Sequence, residues 1–294
     1  MNQNMKRNIT AKSALFGASL IWGSSFLIVK NSVDVIGPHM LLGIRFTTGC
    51  LLLCILFHRK LKAINRQYLM KGGLLGLFLF IAYSLQTIGI TGTTPGKNAF
   101  LTAIYCIIVP FLYWAVDRAK PDKYNISAAL VSILGIGLVS LSGDLRIRYG
   151  DAFTLASGFF YAAHMVAVSK FGRDRDPVLI TILQFGYAAV FSWIVTFLFE
   201  DVNIPMDAGV ITGIVYLSVV ATALALLLQN IGQKYTSPTP AAVILSLEAV
   251  FGVIFSVIFY REQVTAKLFT GFVLIFLGVI ISETKLSFIK KNRA

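Results

Sequence analysis

Two short stretches decide the fold of this chain: SLQTIG at residues 84–89 and LLQNIG at residues 227–232. Each is followed, six residues after its glycine, by a proline, Pro95 in one case and Pro238 in the other. Further residues recur at the same offset of 143 or at a slightly shorter offset of 139: Arg118 with Arg261, Gly135 with Gly278, Trp22 with Tyr161, and Arg45-Phe46 with Gln184-Phe185. The chain therefore repeats itself.

The composition is that of a membrane protein. Of the 294 residues, 56% are hydrophobic and 13% are charged, whereas soluble domains carry about 25% charged residues. A helix crosses the hydrocarbon core of a bilayer with roughly 20 apolar residues. That length predicts ten transmembrane helices, at residues 12–30, 39–57, 72–91, 98–116, 124–142, 151–169, 177–199, 208–230, 238–260 and 266–283.

The repeat divides these ten helices into two sets of five, at residues 10–142 and 149–283. Because five is odd, the second set must enter the membrane from the opposite side. Inverted repeats with a substrate site at their interface are a hallmark of secondary transporters. We therefore predict an all-α integral membrane protein whose ten transmembrane helices form two inverted five-helix repeats around a central cavity.

The positions of lysine and arginine predict the orientation, because cytoplasmic loops retain these residues. With the N-terminus inside, nineteen of them fall on the inner side, six fall on the outer side, and Arg45 lies within a span. The prediction is a multi-pass protein of the cell (cytoplasmic) membrane with both termini in the cytoplasm.

The net charge of +13 does not indicate a nucleic-acid partner. The basic residues lie in short clusters between apolar runs, whereas a nucleic-acid binder displays them as a patch on a polar domain. Cys50, Cys54 and Cys106 lie inside apolar stretches, without the spacing of metal ligands or of a disulfide framework. We expect the lipid bilayer and a small-molecule substrate as partners, with no nucleic acid, metal or cofactor; no oligomeric state is predicted.

Short motifs along the chain carry a resemblance to a known family. They are IWGSSF at residues 21–26, Arg45-Phe46, TSPTPAA at residues 236–242, Leu247-Glu248-Ala249 and Arg261-Glu262. With these residues the chain resembles the EamA type of the drug/metabolite transporter superfamily. The resemblance implies a ten-helix inverted-repeat bundle with a central cavity, and usually export of amino acids, related metabolites or drugs. The two halves differ at one point, since the fourth span ends in Asp117-Arg118 where the ninth ends in Arg261-Glu262.

Two charged residues, Arg45 and Glu248, lie well inside predicted spans. Placing a charge at the centre of a membrane helix costs about 2.5–3.5 kcal/mol on insertion scales. A functional interpretation makes Glu248 the site of a substrate amine or of a coupling proton. The structural alternatives are a permanent Arg45–Glu248 pair, or two residues that are hydrogen-bonded separately.

Polar residues at helical spacing predict the lining of the cavity. On the sixth span, Ser157, Tyr161 and His164 share one face, which in a membrane helix should meet protein or water. His164 is a second candidate for proton coupling, and hydrogen bonding between helices is the alternative role. The complete set of candidate cavity residues is Trp22, Ser25, Arg45, Gln86, Asn98, Thr102, Tyr105, Tyr161, His164, Thr222, Gln229 and Glu248. A lining of amides, hydroxyls and aromatic rings suits zwitterionic or aromatic metabolites, and suits phosphates poorly.

Other functions were weighed against transport. The segment at residues 92–98 is one residue short of a phosphate-binding loop and lacks the hydroxyl residue after its lysine, so we expect no ATP site. A membrane-embedded enzyme would need a nucleophile–base or metal constellation, and a channel would need rings of like charge or a filter; neither pattern is present in the sequence. A lipid-handling protein is a further alternative.

We predict a secondary carrier that works by alternating access, with the proton as candidate coupling ion; the direction of export is implied by the resemblance alone.

Overall fold

The computed structural model describes residues 3–118, 120–140, 148–202 and 207–285, and within these ranges the chain forms helices and connections without any strand. The α-helices in the described ranges are α1 (Gln3–Val33), α2 (Pro38–Leu56), α3 (Arg66–Thr91), α4 (Pro95–Thr102), α5 (Tyr105–Asp117), α6 (Lys123–Ser140), α7 (Tyr149–Gly172), α8 (Pro177–Phe199), α9 (Ala208–Val215), α10 (Ala225–Tyr235), α11 (Pro238–Phe255) and α12 (Ala266–Thr284). A short 3₁₀ helix (His58–Ala63) follows α2, and π-helical segments lie at Tyr216–Leu224 and Ser256–Tyr260.

Eight stretches of the described chain are long and apolar enough to cross a membrane. They are Asn8–Val33, Pro38–Leu56, Arg66–Thr91, Pro95–Asp117, Tyr149–Gly172, Pro177–Phe199, Ala208–Tyr235 and Pro238–Tyr260. The other two predicted spans, 124–142 and 266–283, coincide with the shorter apolar stretches Lys123–Val139 and Ala266–Ile281. Residues 141–142, and Arg146, Lys290, Lys291 and Arg293 from the orientation argument, lie outside the described residues.

The fourth predicted span departs from a single helix. The sequence predicted one helix at 98–116, but the helix is interrupted at Ala103 and Ile104, between α4 and α5. The backbone tightens there into 3₁₀-type turns, with the N–H of Ile107 donating to the carbonyl of Ile104 at 2.9 Å. As a result Asn98 lies on α4 and Tyr105 lies on α5.

The helices pack in a regular set of pairs. Helix α3 packs on α7 and α8, while α1 packs on α10 and α11. Helix α2 packs on α8 and on the π-helical segment Tyr216–Leu224. Helix α4 contacts α7 and α11, α5 also packs on α7, and α6 pairs with α12.

Two glycines allow helix backbones to approach closely. A Cβ atom on Gly89 of α3 would lie 2.9 Å from the carbonyl oxygen of Gly150 at the start of α7. One on Gly232 of α10 would lie 2.9 Å from the carbonyl oxygen of Ala11 near the start of α1. Small residues at such crossings give membrane helices their van der Waals contact, because lipid supplies no hydrophobic drive for helices to associate.

Two acidic residues stabilise the end of the bundle that contains residues 92–94. We call it the α3–α4 end. Asp151 of α7 is completely buried and accepts hydrogen bonds from the Thr93 hydroxyl at 2.7 Å and the Lys97 ammonium at 2.8 Å. Glu262 accepts hydrogen bonds from the Thr94 hydroxyl and, at 3.0 Å, from the backbone N–H of Gly96. A carboxylate at the first turn of α4 also interacts favourably with the helix dipole.

The opposite end of the bundle contains residues 236–237, and we call it the α10–α11 end. There an ion pair, the Lys60–Asp176 bridge, connects the first half of the chain to the second. Lys60 of the 3₁₀ helix donates to Asp176 at 2.6 Å, and Asp176 caps α8 by accepting from the N–H of Val178 at 2.8 Å. Burial acts to raise the pKa of Asp176, but these hydrogen bonds outweigh it and hold the pKa below its ordinary value.

We predict that Gly89→Ala and Gly232→Ala each destabilise the protein by about 1–3 kcal/mol, because the added methyl group overpacks a backbone contact. Gly172→Ala is the matched control, since its Cβ would meet nothing nearer than Val168 Cγ1 at 3.7 Å. Thermal unfolding in detergent measures the three variants. Equal midpoints for all three would contradict the role given to the close contacts.

A second prediction concerns Asp176. Asp176→Ala removes the helix cap and should cost about 0.5–2 kcal/mol. Asp176→Asn keeps a capping oxygen and loses only a partly exposed ion pair, worth about 1 kcal/mol or less. Because the pKa of Asp176 is lowered on folding, the contribution of the pair is complete above the ordinary aspartate pKa of about 3.9 and is lost as the pH falls through the lower folded value. Unfolding at pH 7 and below pH 4 tests this, and a difference between wild type and Asp176→Asn that grows in acid would refute it.

Candidate functional site

A cavity lies within the bundle and is lined by residues of α1, α2, α3, α4, α5, α7, α10 and α11. About 560 Å³ of space in and around it is not filled by protein atoms, and part of that space is open to solvent. Its walls are formed by Trp22, Ser25, Phe26, Val29, Arg45, Tyr83, Gln86, Ile90, Asn98, Tyr105, Tyr161, Met165, Gln229, Leu245 and Glu248.

The cavity holds one cation and one anion that are not paired with each other. Arg45 is 2% exposed and Glu248 is 4% exposed, and within the described ranges no ion pair joins them. Arg45 instead donates from Nε to Thr222 Oγ1 at 3.0 Å, and its Cζ lies 5.2 Å from the centre of the Tyr83 ring. The sequence left two structural alternatives for these charges, a permanent pair or separate hydrogen bonds. The described residues do not contain the permanent Arg45–Glu248 pair.

The π-helical segment Tyr216–Leu224 positions two of these contacts. It contains Thr222, and its Ala221 carbonyl accepts a hydrogen bond from the Trp22 indole at 2.9 Å. This bond crosses between α1 and the eighth span, and it fixes the Trp22 ring at the cavity wall. Single π-helical turns within α-helices are frequently found at functional sites.

Amide side chains form the polar part of the wall. Gln86 accepts a hydrogen bond from the Tyr161 hydroxyl at 2.8 Å and donates to Thr102 at 3.1 Å. Asn98 donates to Thr154 at 2.7 Å, but its buried Oδ1 has no hydrogen-bond partner among the described residues. An amide oxygen with a spare lone pair in a cavity is available to a ligand donor.

Three of the residues predicted for the cavity do not line it. Thr102 and Thr222 lie directly behind the wall, bonded to Gln86 and Arg45. His164 is 1% exposed and its Nε2 is 2.9 Å from Gln184 Oε1. It lies almost one helical turn beyond Tyr161 and is not among the wall residues of the cavity in this structure.

Six wall residues were missed by the sequence analysis: Phe26, Val29, Tyr83, Ile90, Met165 and Leu245. All of them are apolar or aromatic, and such residues are indistinguishable from lipid-facing or packing residues in an apolar helix. The repeat contained a usable signal for two of them, because Phe26 and Met165 are 139 residues apart, like Trp22 and Tyr161. In the described part of the chain no group of metal-ligating side chains is present.

Comparison with known proteins agrees with this architecture. A solved crystal structure, 17% identical in sequence, superimposes with a TM-score of 0.69 over 93% of this chain and 97% of its own. At that identity the similarity concerns the fold alone.

The sequence relatives are transporters by name. An uncharacterized transporter of Archaeoglobus fulgidus is 32% identical over 279 residues, which cover 94% of this chain and 86% of the relative. The uncharacterized transporter YvbV of Bacillus subtilis is 26% identical, over 96% of this chain and 94% of its own. The uncharacterized inner membrane transporter YedA of Escherichia coli is 28% identical over 45% of this chain and 44% of its own.

The family comparison covers nearly the whole chain and does so twice. The EamA-like transporter family matches residues 10–141 and again residues 148–284. Together with the eight membrane-length helices, these matches make the chain a multi-pass membrane protein related to carriers of small molecules. It belongs to the EamA-like transporter family.

Proposed function

We propose that this protein is a secondary transporter that moves small zwitterionic metabolites, amino acids or related compounds, across the cytoplasmic membrane by alternating access. The observation that carries the proposal is the buried cavity that contains both a guanidinium and a carboxyl group, Arg45 and Glu248, with no ion pair between them in the described residues. Burying a charge without an opposite charge beside it is costly, and a substrate carrying both charges would complement the two groups at once. Export, which the family resemblance implies, is the proposed direction, and drugs of similar chemistry are further candidate substrates.

The proposed architecture is ten helices in two inverted repeats, at residues 10–142 and 149–283. The helix pairs support it, because exchanging each element with its counterpart in the other half reproduces the contact pattern: α3–α7 becomes α10–α1, while α2–α8 and α6–α12 map onto themselves. Three residue pairs at the repeat offsets behave alike: Gly89 and Gly232 in their backbone contacts, Arg118 and Arg261 with φ of 56°, and Phe46 and Phe185, whose rings touch at 5.9 Å.

The proposed orientation places both termini in the cytoplasm, following the excess of lysine and arginine on one side. In this orientation the α3–α4 end is outside, and the α10–α11 end with the Lys60–Asp176 bridge is inside. The spread of basic residues along several cytoplasmic loops is what supports the choice.

Glu248 is the proposed coupling residue. It lies in the cavity rather than at the bundle surface, so a proton and a substrate amine would compete for the same carboxylate. Coupling requires that proton and substrate bind one state of the carrier better than the other, and competition at one carboxylate meets that requirement. The buried Asp151 already has Lys97 and Thr93 as partners, and it lies outside the cavity wall.

The first experiment is uptake by purified protein in liposomes, with amino acids, nucleosides and cationic drugs, each with and without a pH gradient. We expect zwitterions to accumulate along the gradient, and Glu248→Gln to reduce this accumulation at least tenfold. Asp34→Asn is the control, since Asp34 is an exposed acid paired with Lys30 at 3.6 Å. Movement that ignores both the gradient and Glu248→Gln would make the protein a facilitator. If nothing in the panel moves, transport is refuted, and a membrane-embedded enzyme or a lipid-handling protein takes its place.

A second prediction concerns the support of Arg45. Thr222→Val keeps the shape of the side chain but removes the oxygen that accepts from Arg45 Nε, leaving a buried donor unsatisfied at a cost of about 1–3 kcal/mol. We expect lower stability together with a raised KM for carboxylate substrates. Thr222→Ser retains the hydroxyl and should behave like wild type in both unfolding and uptake. A Thr222→Val variant with unchanged stability and KM would show that Thr222 does not hold Arg45 in place.

A further inference from the structure

The cavity is symmetric only at its centre. Four pairs of residues at the repeat offsets line it together: Trp22 with Tyr161, Phe26 with Met165, Gln86 with Gln229, and Tyr105 with Glu248. These pairs surround the proposed pseudo-two-fold axis.

Away from these pairs, the cavity reaches the ends of two helices at the α3–α4 end. Val29 and Ile90, near the ends of α1 and α3, are wall residues. Their counterparts at the same offsets, Val168 and Gln233, are buried at 3% exposure and do not line the cavity. Residues that line the cavity on one side of the axis therefore have counterparts on the other side that do not line it.

The same asymmetry separates two polar pairs. Ser25 and Arg45 line the cavity, and the offset of 139 residues relates them to His164 and Gln184. His164 and Gln184 are 1% and 0% exposed and lie 2.9 Å apart, Nε2 to Oε1. They are thus the buried counterparts of a pair that belongs to the site.

The buried pair is incompletely satisfied. The Gln184 Nε2 has no hydrogen-bond partner within the described ranges, although an amide nitrogen carries two donors. Close by on the α8–α10 contact, Asn230 bonds to Thr181 at 2.8 Å, but its Oδ1 is also buried without a partner in that part of the chain. Such groups are rare in native proteins and call for an explanation. A second state in which the same atoms meet water or substrate supplies one.

We propose that His164 and Gln184 form the second half of the substrate site: they line the cavity when it opens toward the α10–α11 end, as Ser25 and Arg45 do when it extends toward the α3–α4 end. This inference rests on the proposed transport by two inverted repeats. When two such halves exchange conformations, a cavity that reaches one end of the bundle becomes one that reaches the other. In that state the substrate meets an amide and an imidazole where it previously met a hydroxyl and a guanidinium.

Side-specific labelling tests the inference without requiring transport. Cys50, Cys54 and Cys106 are replaced by alanine, and Ser25→Cys, Gln184→Cys or Ser192→Cys is added. Ser192 is the matched control, because it is as fully buried as Gln184 and lies on the same helix. A membrane-impermeant maleimide is then applied to right-side-out and to inverted membrane vesicles.

We expect Ser25→Cys and Gln184→Cys to react from opposite faces of the membrane, with Gln184→Cys at least tenfold faster than Ser192→Cys. If Gln184→Cys does not fold, His164→Cys replaces it with the same expectation. The inference fails if the cysteine at 184 or 164 is as inert as the control from both faces, or if it reacts from the same face as Ser25→Cys.

A transport measurement separates this inference from the proposed function. Gln184→Leu should lower uptake at least tenfold. The concentration of substrate that protects Ser25→Cys from the maleimide should change by less than twofold in the same variant. Unchanged uptake by Gln184→Leu would overturn the inference and leave transport standing. Labelling from opposite faces in a protein that moves nothing would uphold the two-sided opening and reject the proposed function.

Discussion

A charge inside a membrane protein can be stabilised only by protein groups, by water or by a ligand, and the organisation of this bundle follows from that constraint. Asp151, for example, is buried at the α3–α4 end and is bonded to Lys97 and Thr93. Arg45 and Glu248 differ, since they share a cavity without pairing to each other in the described structure. The helix packing, with its glycine contacts and its π-helical segment, keeps these two groups beside an unfilled space.

Hydropathy was enough to locate the eight membrane-length stretches, because it acts within a single segment. Two of the helices begin at Pro95 and Pro238, since proline loses nothing at a first helical turn. The interruption at Ala103–Ile104 and the π-helical segment at Tyr216–Leu224 were not predictable, because they depend on packing between segments distant in sequence. For the site, polar residues within apolar helices were the useful signal. Apolar wall residues such as Leu245 could not be distinguished from other core residues. His164 is polar as well, but its position along α7 places it outside the cavity wall.

The two halves share their helix contacts but not the chemistry at their ends. At the repeat offsets, the residue equivalent to Asp151 is Lys12, and the residue equivalent to Glu262 is Ala119. The acids that brace the loop between α3 and α4 therefore have no acidic counterparts at the α10–α11 end, which relies instead on the Lys60–Asp176 bridge. The two ends of the bundle are consequently held by different interactions, and in the proposed alternating access the barriers to opening them need not be equal.

The placement of Trp22 gives this protein a built-in optical reporter. The chain contains three tryptophans. Trp22 alone among them is a wall residue of the cavity; Trp114 is 43% exposed on the bundle surface, and Trp193 is bonded to Thr47 and stacked on Phe197. Indole emission responds to the polarity around the ring. The fluorescence of Trp22 therefore depends on whether the cavity contains water, lipid or solute.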